Sequence, residues 1–348
     1  MMANKLSLVL FSAPLLLVIA GCASEDTATG PSTDASTARA LASSYTAIDL
    51  DPSSTAFSKA TGINPAGQVV GLTSTSGTMA VRWEKGSTTN LGTLGGCCSV
   101  ANAINAAGDI AGHSTDLSGQ SRAFLWSNGV MTNLGSLGGS YSEATALNAN
   151  GQVVGRSFTS TGTQHAFLWA RGVMIDLGTL GGTQSLAYGI NARGQVVGQS
   201  GLPGGAWHAF VWENGTMTDL GTLGGCCSSA AAINSAGQVV GYSSLATGGF
   251  HAFLWKNGLM TDLGAPGGNF PHSFAAAINT AGDVVGWSHD AAQSGRTHAL
   301  VWSKGKIIDL GTSGGDDSQA LGINPKGDVV GLTGRPPISF SATLWTKR

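Results

Sequence analysis

The 348-residue sequence contains few charged residues, and their signs nearly cancel. Asp, Glu, Lys and Arg make up 10% of the chain, and the formal net charge is −2 at pH 7. No basic patch is present, which argues against a nucleic-acid partner, because phosphate binding depends on clustered Lys and Arg. Ser, Thr, Gly, Asn and Gln must therefore supply most of the polar surface.

Beyond its first residues the sequence also lacks an apolar run long enough to span a bilayer. The one early run, Leu6 to Ala20, follows Lys5 and is interrupted by Pro14, an arrangement typical of a secretory signal. Its end, Ile19-Ala20-Gly21-Cys22, resembles the bacterial lipobox, in which signal peptidase II cuts before the Cys and lipid is attached to it. We predict a lipoprotein signal peptide over residues 1–21 and lipidation of Cys22. The alternative is an ordinary signal followed by an unrelated Cys.

The segment after Cys22 lacks apolar periodicity. Ser24 to Ser44 is rich in Ser, Thr, Ala and Asp and cannot bury a core, so residues 22–44 are predicted to be a lipidated Cys with a disordered tether. Ala23 rather than Asp follows the Cys, which in enterobacteria-like sorting favours the outer membrane. We expect an exported protein of the bacterial cell envelope, at the outer membrane or cell surface, that meets the membrane only through its lipid.

The remaining residues, 45–348, consist of one phrase repeated seven times at a period near 43 residues. Each copy contains Leu-Gly-Thr-Leu-Gly-Gly or a variant, a constant Ser, an Asn-x-x-Gly turn before Val-Val-Gly (Ile110-Ala111-Gly112 in the second copy), and a Trp. The Asn markers are Asn64, Asn105, Asn148, Asn191, Asn234, Asn279 and Asn324, and the Trp markers are Trp83, Trp126, Trp169, Trp212, Trp255, Trp302 and Trp345.

Each copy is predicted to form four short strands. The Asn-x-x-Gly segment is typical of a type I turn followed by a left-handed Gly, so we expect the Asn residues to form turns rather than to bind a ligand. Asn128-Gly129 and its counterparts mark tight hairpins. Four strands in meander order, repeated without helical periodicity, predict an all-β, seven-bladed β-propeller, with another β repeat such as a parallel β-helix as the alternative.

The two ends of the chain are predicted to share one blade. The last copy stops soon after Trp345 and lacks its fourth strand, whereas Ala47 to Leu50 matches the fourth-strand segment Met174 to Leu177. The N-terminal strand would therefore close the ring and remove an exposed sheet edge.

The repeats carrying His165-Ala166-Phe167, His208-Ala209-Phe210 and His251-Ala252-Phe253 beside Leu-Gly-Thr-Leu-Gly-Gly resemble the bacterial extracellular HAF-repeat family. The resemblance covers Tyr45 to Arg348, although the first and seventh copies carry Met79-Ala80-Val81 and Ser341-Ala342-Thr343 instead. It implies export and no established activity.

The periodic histidines occupy one slot in successive copies and are spread around a ring, so they need not converge on a metal. We expect structural histidines between blades at His165, His208, His251 and His298, and we predict neither a metal nor a cofactor.

The cysteines other than Cys22 form two dipeptides in the same slot of two copies, Cys97-Cys98 and Cys226-Cys227. A trans peptide holds adjacent Cα atoms about 3.8 Å apart, below the usual disulfide range. In an oxidising location the sequence leaves open a vicinal disulfide or two thiols, with metal capture as a third, minor reading.

Strand order predicts that the fourth-to-first crossovers and the second-to-third loops share one face, here called the crossover face, and that the Asn turns and tight hairpins share the other, the turn face. The copies differ just before the constant Ser and one residue after it. Loops carry function on a repeated scaffold, so ligand-binding candidates come from these positions. They are Tyr141, Glu143, Gln184, His272, Phe274, Asp316 and Asp317.

Two functions follow as hypotheses. The first is a monomeric, non-catalytic binding or scaffold module for a protein or glycan. The second is a cell-envelope glycan hydrolase or lyase using Glu143, Asp316 and Asp317, although adjacent acids such as Asp316-Asp317 usually form a solvated turn. Two inward carboxylates facing each other would favour the enzyme. A wet face with aromatic rims would favour binding.

Overall fold

The computed structural model describes residues 45–52, 56–75, 77–267, 272–289, 296–335 and 339–348. The predicted signal peptide, Cys22 and the tether lie outside these residues. Within them, all regular elements are β-strands, and no helix is long and apolar enough to cross a membrane.

The strands form seven antiparallel four-stranded sheets, here called blades 1 to 7. Blade 1 consists of β2 (Ser58–Ile63), β3 (Val69–Thr73), β4 (Met79–Glu84) and β5 (Ser87–Asn90). Blade 2 consists of β6 (Gly95–Ile104), β7 (Ile110–Asp116), β8 (Ser121–Ser127) and β9 (Val130–Asn133). Blade 3 consists of β10 (Gly138–Leu147), β11 (Val153–Thr159), β12 (Gln164–Ala170) and β13 (Val173–Asp176). Blade 4 consists of β14 (Ser185–Ile190), β15 (Val196–Gly201), β16 (Trp207–Glu213) and β17 (Thr216–Asp219). Blade 5 consists of β18 (Gly224–Ile233), β19 (Val239–Leu245), β20 (Phe250–Lys256) and β21 (Leu259–Asp262). Blade 6 consists of β22 (His272–Ile278), β23 (Val284–His289), β24 (Thr297–Ser303) and β25 (Lys306–Asp309). Blade 7 consists of β26 (Asp317–Ile323), β27 (Val329–Arg335), β28 (Ser339–Lys347) and β1 (Tyr45–Asp49).

The first strands of neighbouring blades contact one another, so they surround the central axis, while the fourth strands form the outer rim. The prediction of a seven-bladed propeller with four-stranded blades is confirmed. The meander order also puts the two loop types on the two faces that the sequence predicted.

Blade 7 combines the two ends of the described chain. Strand β1 pairs antiparallel with β28, with Tyr45 opposite Lys347 and Asp49 opposite Thr343. The pairing satisfies backbone groups that would otherwise form an open edge. The predicted closure by an N-terminal strand is therefore confirmed.

A hydroxyl joint links each blade to the next at the constant Ser. The Ser99 hydroxyl accepts a hydrogen bond from the Ala80 backbone N–H of blade 1 at 3.0 Å and donates to the Gly92 carbonyl at 2.7 Å. Ser58 closes the series by accepting from the Ala342 N–H at 2.9 Å. These seryl residues are buried, so each joint satisfies a backbone group that water cannot reach.

A second joint lies on the turn face at the repeated Asn. The Asn148 carboxamide accepts from the N–H groups of Asn150 and Gln152 and donates through Nδ2 to the Asn191 carbonyl of the next blade at 3.0 Å. The same link joins the blades from Asn64 to Asn324. The Asn residues therefore form turns, as predicted, and also connect blades.

The glycine of Val-Val-Gly permits a close approach between first and second strands. A Cβ atom built on Gly155 would lie 1.9 Å from the Glu143 carbonyl oxygen. In each such pair a bulge follows; in blade 3 the register shifts between Ala144 and Ala146. This bulge decides which side chains face each other near the axis.

The periodic histidines bond within their own blades, where we expected them between blades. His165 Nδ1 lies 2.8 Å from an Asp176 carboxylate oxygen, on the adjacent strand of the same sheet. Blades 4 to 6 repeat the pair with His208 and Asp219, His251 and Asp262, and His298 and Asp309. The Asp carboxylate also accepts a backbone N–H two residues later, so it already serves a turn.

The apolar core lies between blades rather than at the axis. One cluster joins Val154 and Ala166 of blade 3 to Val196 and Phe210 of blade 4. Each fully buried Val or Phe side chain contributes roughly 1.5–3 kcal/mol to stability. The side chains nearest the axis are therefore not part of this apolar core.

Candidate functional site

One ring of side chains around the axis differs in every blade. It is built from cross-strand pairs, each joining the residue after the constant Ser to the residue after Val-Val-Gly. The pairs, called the axial layer, are Lys59–Leu72, Val100–His113, Glu143–Arg156, Leu186–Gln199, Ser229–Tyr242, Phe274–Trp287 and Gln319–Leu332.

The sequence identified only the first member of each pair. The second member was missed, although the position after Val-Val-Gly also changes from copy to copy. Opposed residues in an antiparallel ladder project from the same side of the sheet, so both members of each pair belong to one surface. The first member of each pair lies on the innermost strand of its blade, because the first strands surround the axis.

Glu143 is the centre of a polar cluster in this layer. The Arg156 guanidinium donates to Glu143 Oε2 from Nε at 2.8 Å and from Nη2 at 2.6 Å. The Tyr141 hydroxyl donates to the same oxygen at 2.6 Å. Asn102 Nδ2 lies 3.3 Å from Oε1, and His113 Nδ1 lies 3.6 Å from it. The carboxylate is thus surrounded by donors from blades 2 and 3.

These neighbours fix the charge of Glu143. Burial opposes ionisation, but the charges of His113 and Arg156 and the hydrogen bonds from Tyr141 and Arg156 outweigh it and lower the pKa of Glu143 to about 2. Burial lowers the pKa of His113 itself, so Arg156 is the cation that remains at neutral pH. Glu143 is therefore an ionised, hydrogen-bonded anchor rather than a proton donor.

Lys59 brings a second cation to the layer from blade 1. Burial lowers the pKa of its ammonium group from 10.5 to about 8, and Glu143 offsets part of that shift. The electrostatic effect of a blade 3 carboxylate on a blade 1 amine indicates that the two groups lie within interaction range of each other.

Tyr188 extends the cluster toward blade 5. It follows Ala187 on the first strand of blade 4 and is buried. Burial raises its pKa, with further electrostatic effects from Arg156, Tyr242 and Glu143. The Tyr188 phenol is thus within electrostatic range of both Arg156 and Tyr242.

Six rings of blades 5 and 6 form a contiguous group, here called the ring cluster. The Phe274 ring stacks on the Trp287 ring with centroids 5.8 Å apart and on the Phe250 ring at 6.3 Å. Tyr242 meets Phe274 edge to face at 5.3 Å. The cluster consists of Tyr242, Phe250, His272, Phe274, Trp287 and His289.

The other predicted residues lie apart from the axial layer. Gln184 is exposed and directly precedes the first strand of blade 4. The Asp316 side chain is 46% exposed and lies 3.8 Å from Arg296. The expectation of a solvated acid pair is wrong for Asp317, which is buried because its carboxylate accepts from the Thr297 N–H at 2.7 Å and the Thr297 hydroxyl at 3.2 Å.

The paired cysteines lie beside the axial layer at the crossover face. A disulfide joins Cys97 to Cys98, and Cys226 Sγ lies 2.7 Å from Cys227 Sγ. Cys227 also contributes to the raised pKa of Tyr242, after burial, so the second pair lies close to the ring cluster. Among the described residues, no group of three or more His, Cys, Asp or Glu is arranged to hold a metal.

No family model and no curated protein matches this chain. Solved structures match its fold. The β-propeller domain of the Trilobed protease from Pyrococcus furiosus, described as having an open velcro topology, is 12% identical, with a TM-score of 0.54 over 84% of this chain and 96% of that one. A puromycin hydrolase mutant complexed with PGG is 14% identical, with a TM-score of 0.55 over 82% of this chain and 51% of that one.

TolB from Acinetobacter baumannii is 11% identical, with a TM-score of 0.45 over 69% of this chain and 64% of that one. This chain spans about half the length of the puromycin hydrolase. At these identities the likeness shows the propeller fold alone. The pairing of β1 with β28 distinguishes the ring described above from an open one.

Proposed function

We propose that this protein is a lipid-anchored binding module of the bacterial cell envelope, whose protein or glycan ligand docks at the crossover end of the axis. One observation supports the proposal above others. The axial layer differs in every blade, while the Ser and Asn joints recur. A ring that served only as a scaffold would need no such variation, and convergent aromatic and polar groups are typical of binding sites.

The contacts of the carboxylates argue against the alternative of a glycan hydrolase or lyase. Glycoside hydrolysis needs two carboxyl groups across the scissile bond, one of which holds a proton. Glu143 is ionised and bonded to Arg156, and Asp317 is occupied by Thr297. These acids have structural partners that a catalytic pair would have to give up.

The site is tested with the purified full chain as bait for envelope proteins and as probe on a glycan array. Changing Tyr141, Gln184, His272 or Phe274 to Ala should weaken capture of the ligand that is found. Changing Lys256 to Ala or Lys304 to Asn, on the turn face, should have little effect, because exposed charges contribute weakly. Thermal melting of each variant separates loss of binding from loss of folding. The reverse pattern would place the site on the turn face.

The anchor is tested separately. Cys22→Ser should leave an uncleaved precursor or release the protein from the membrane fraction. If the variant still fractionates with membranes at normal size and yield, the lipid anchor is not at Cys22.

A further inference from the structure

The aromatic residues that are not part of the repeat are concentrated on the crossover side and at the axis. Every blade carries the same Trp on its third strand, and blades 2 to 5 share a buried Phe there. The blade-specific rings lie elsewhere, at strand ends next to the crossover face or on the first two strands. In the described residues these are Phe57, Tyr141, Phe158, Tyr188, Trp207, Tyr242, Phe250, Phe274, Trp287 and Phe340, and Tyr45 on the outer strand of blade 7 is the exception.

Within this set, three rings of the ring cluster lie with their planes nearly parallel. The Trp287 and Phe274 planes are inclined by 24°, and the Phe274 and Phe250 planes by 28°. Trp287 is 7% exposed and forms the buried end, whereas Phe274, Phe250 and Tyr242 are only partly buried. Large aromatic side chains of a hydrophobic core are normally buried, so several partly exposed rings packed on a buried Trp indicate a surface that can bind a ligand.

The cluster also holds a hydrogen-bond donor in a fixed orientation. His272 Nδ1 accepts the Phe250 backbone N–H at 3.1 Å, so the proton of the neutral imidazole is on Nε2. Burial lowers the pKa of His272, and the charges of His289 and His251 act in the same direction, which favours that neutral form. The ring that carries this neutral N–H lies beside Phe250, with centroids 6.2 Å apart.

This combination fits a sugar better than a peptide. A pyranose has flat C–H faces that pack on aromatic rings and hydroxyl groups around its rim that need donors and acceptors. The Tyr242 phenol, whose pKa burial raises to about 12, stays neutral and can both donate and accept. The ring cluster thus combines ring faces with the hydrogen-bonding groups of His272 and Tyr242, as a sugar requires.

We infer that the ring cluster is a carbohydrate-binding subsite, in which a sugar ring of an oligosaccharide stacks on Phe250 and Phe274 and bonds to His272 Nε2. The inference rests on the proposed function and deepens it, since it names the ligand class. The chain would then continue toward the axis, where Gln319 and Lys59 of the axial layer are partly exposed.

The experiment uses the purified full chain and three tetrasaccharides: cellotetraose, chitotetraose and tetragalacturonic acid. Isothermal titration measures Kd, and saturation-transfer NMR identifies sugar protons in contact with rings. At least one tetrasaccharide should bind. Phe250→Leu, which keeps apolar volume but removes the ring face, should weaken that binding about tenfold, as expected for losing one aromatic stack. Phe250→Tyr should retain affinity within about twofold.

Leu259→Ala is the matched control, because Leu259 is an apolar residue 67% exposed on the outer strand of the same blade. It should leave affinity unchanged. His272→Gln, which keeps a side-chain amide near the same place, should weaken binding less than His272→Leu. Melting curves confirm that each variant folds.

Two results would overturn the inference. Absence of binding to all three tetrasaccharides and to a glycan array would exclude the ligand class, and a captured envelope protein sensitive to Phe250→Leu would then leave the proposed function standing. Equal sugar binding by the parent and Phe250→Leu would place the subsite elsewhere. Failure of the proposed function itself would appear differently, as insensitivity of every captured ligand to the crossover-face variants.

Discussion

The two faces of the disc are built from the same strands but solve different problems. On the turn face each blade carries the same Asn turn, and blades 1 to 6 also carry a tight hairpin, with left-handed residues such as Asn128 and Arg171 in equivalent places. Toward the crossover face each blade carries its own axial pair. A closed ring needs joints of equal geometry, whereas a site gains selectivity from unlike groups placed around one axis. The comparison suggests that repetition maintains the ring and departure from repetition makes the site.

The largest effect should come from opening the ring. Deleting residues 45–50 removes the β1 pairing with β28 and exposes an edge, so the free energy of unfolding should fall steeply and aggregation should increase. Deleting residues 24–44 is the control and should change little, because the sequence predicts a tether there, and a tether would bury little surface. Chemical denaturation measures both. If both truncated chains unfold like the parent, β1 does not hold the ring.

The next largest effect concerns Glu143 at the axis. Its pKa falls from 4.5 to about 2 on folding, so its contribution to stability is present above pH 4.5 and is lost as pH falls toward 2. Glu143→Gln should therefore cost on the order of 3 kcal/mol at pH 7 and flatten the pH dependence of unfolding between pH 4.5 and 2. Asp316→Asn, at an exposed carboxylate, is the control. An unchanged acid profile in Glu143→Gln would disprove the assigned cluster.

A turn-face joint should matter less than the axial carboxylate. Asn191 is buried, accepts from the Arg193 and Gln195 N–H groups and donates to the Asn234 carbonyl at 3.2 Å. Asn191→Ala should destabilise the protein by on the order of 2 kcal/mol and leave ligand affinity intact. Asn150→Ala, which removes one exposed bond to Ala192, should cost far less. Equal losses for the two variants would mean that the buried Asn191 carboxamide contributes no more to stability than an exposed bond between blades.

The smallest effect, and the one of opposite sign, concerns Lys59. Its pKa is lowered from 10.5 to about 8, so the folded chain binds fewer protons than the unfolded chain between these values and gains stability as pH rises through them. The full shift corresponds to about 3 kcal/mol, but Lys59 is partly exposed and therefore screened, so Lys59→Met should stabilise the protein by on the order of 1–2 kcal/mol at pH 7. The gain should shrink between pH 8 and 10.5. Lys256→Met, on an exposed lysine, should show no such window. A gain independent of pH would exclude ammonium burial as its cause.

Much of the fold could be predicted from the sequence because each turn has its own chemistry. The Asn-x-x-Gly period gave the number of blades, and the missing last strand gave the closure. The second member of each axial pair could not be predicted, because the bulge shifts the register between the first two strands. Counting back from the Asn64 turn without a bulge would oppose Lys59 to Thr73, whereas the shift between Ala60 and Gly62 opposes it to Leu72.

Other parts of the candidate site depend on contacts that spacing does not encode. Asp317 looks like half of an exposed acid pair, and only its bonds to Thr297 show why it is buried. The ring cluster joins residues from four strands of two blades. Their approach depends on the angle between blades, and the sequence fixes only their order along the chain.

The shared blade also has a consequence for the time at which the protein becomes complete. The Thr346 hydroxyl donates to the Thr46 carbonyl across 300 residues of chain. Contacts of such sequence separation form late, because the entropy of bringing distant segments together must be overcome first. A chain emerging from its N-terminus must hold β1 without its partner until the last residues arrive. Blades 1 to 6 consist of consecutive strands and can form from contacts between neighbouring segments alone. Blade 7 needs both β1 and β28, so its completion marks the end of folding.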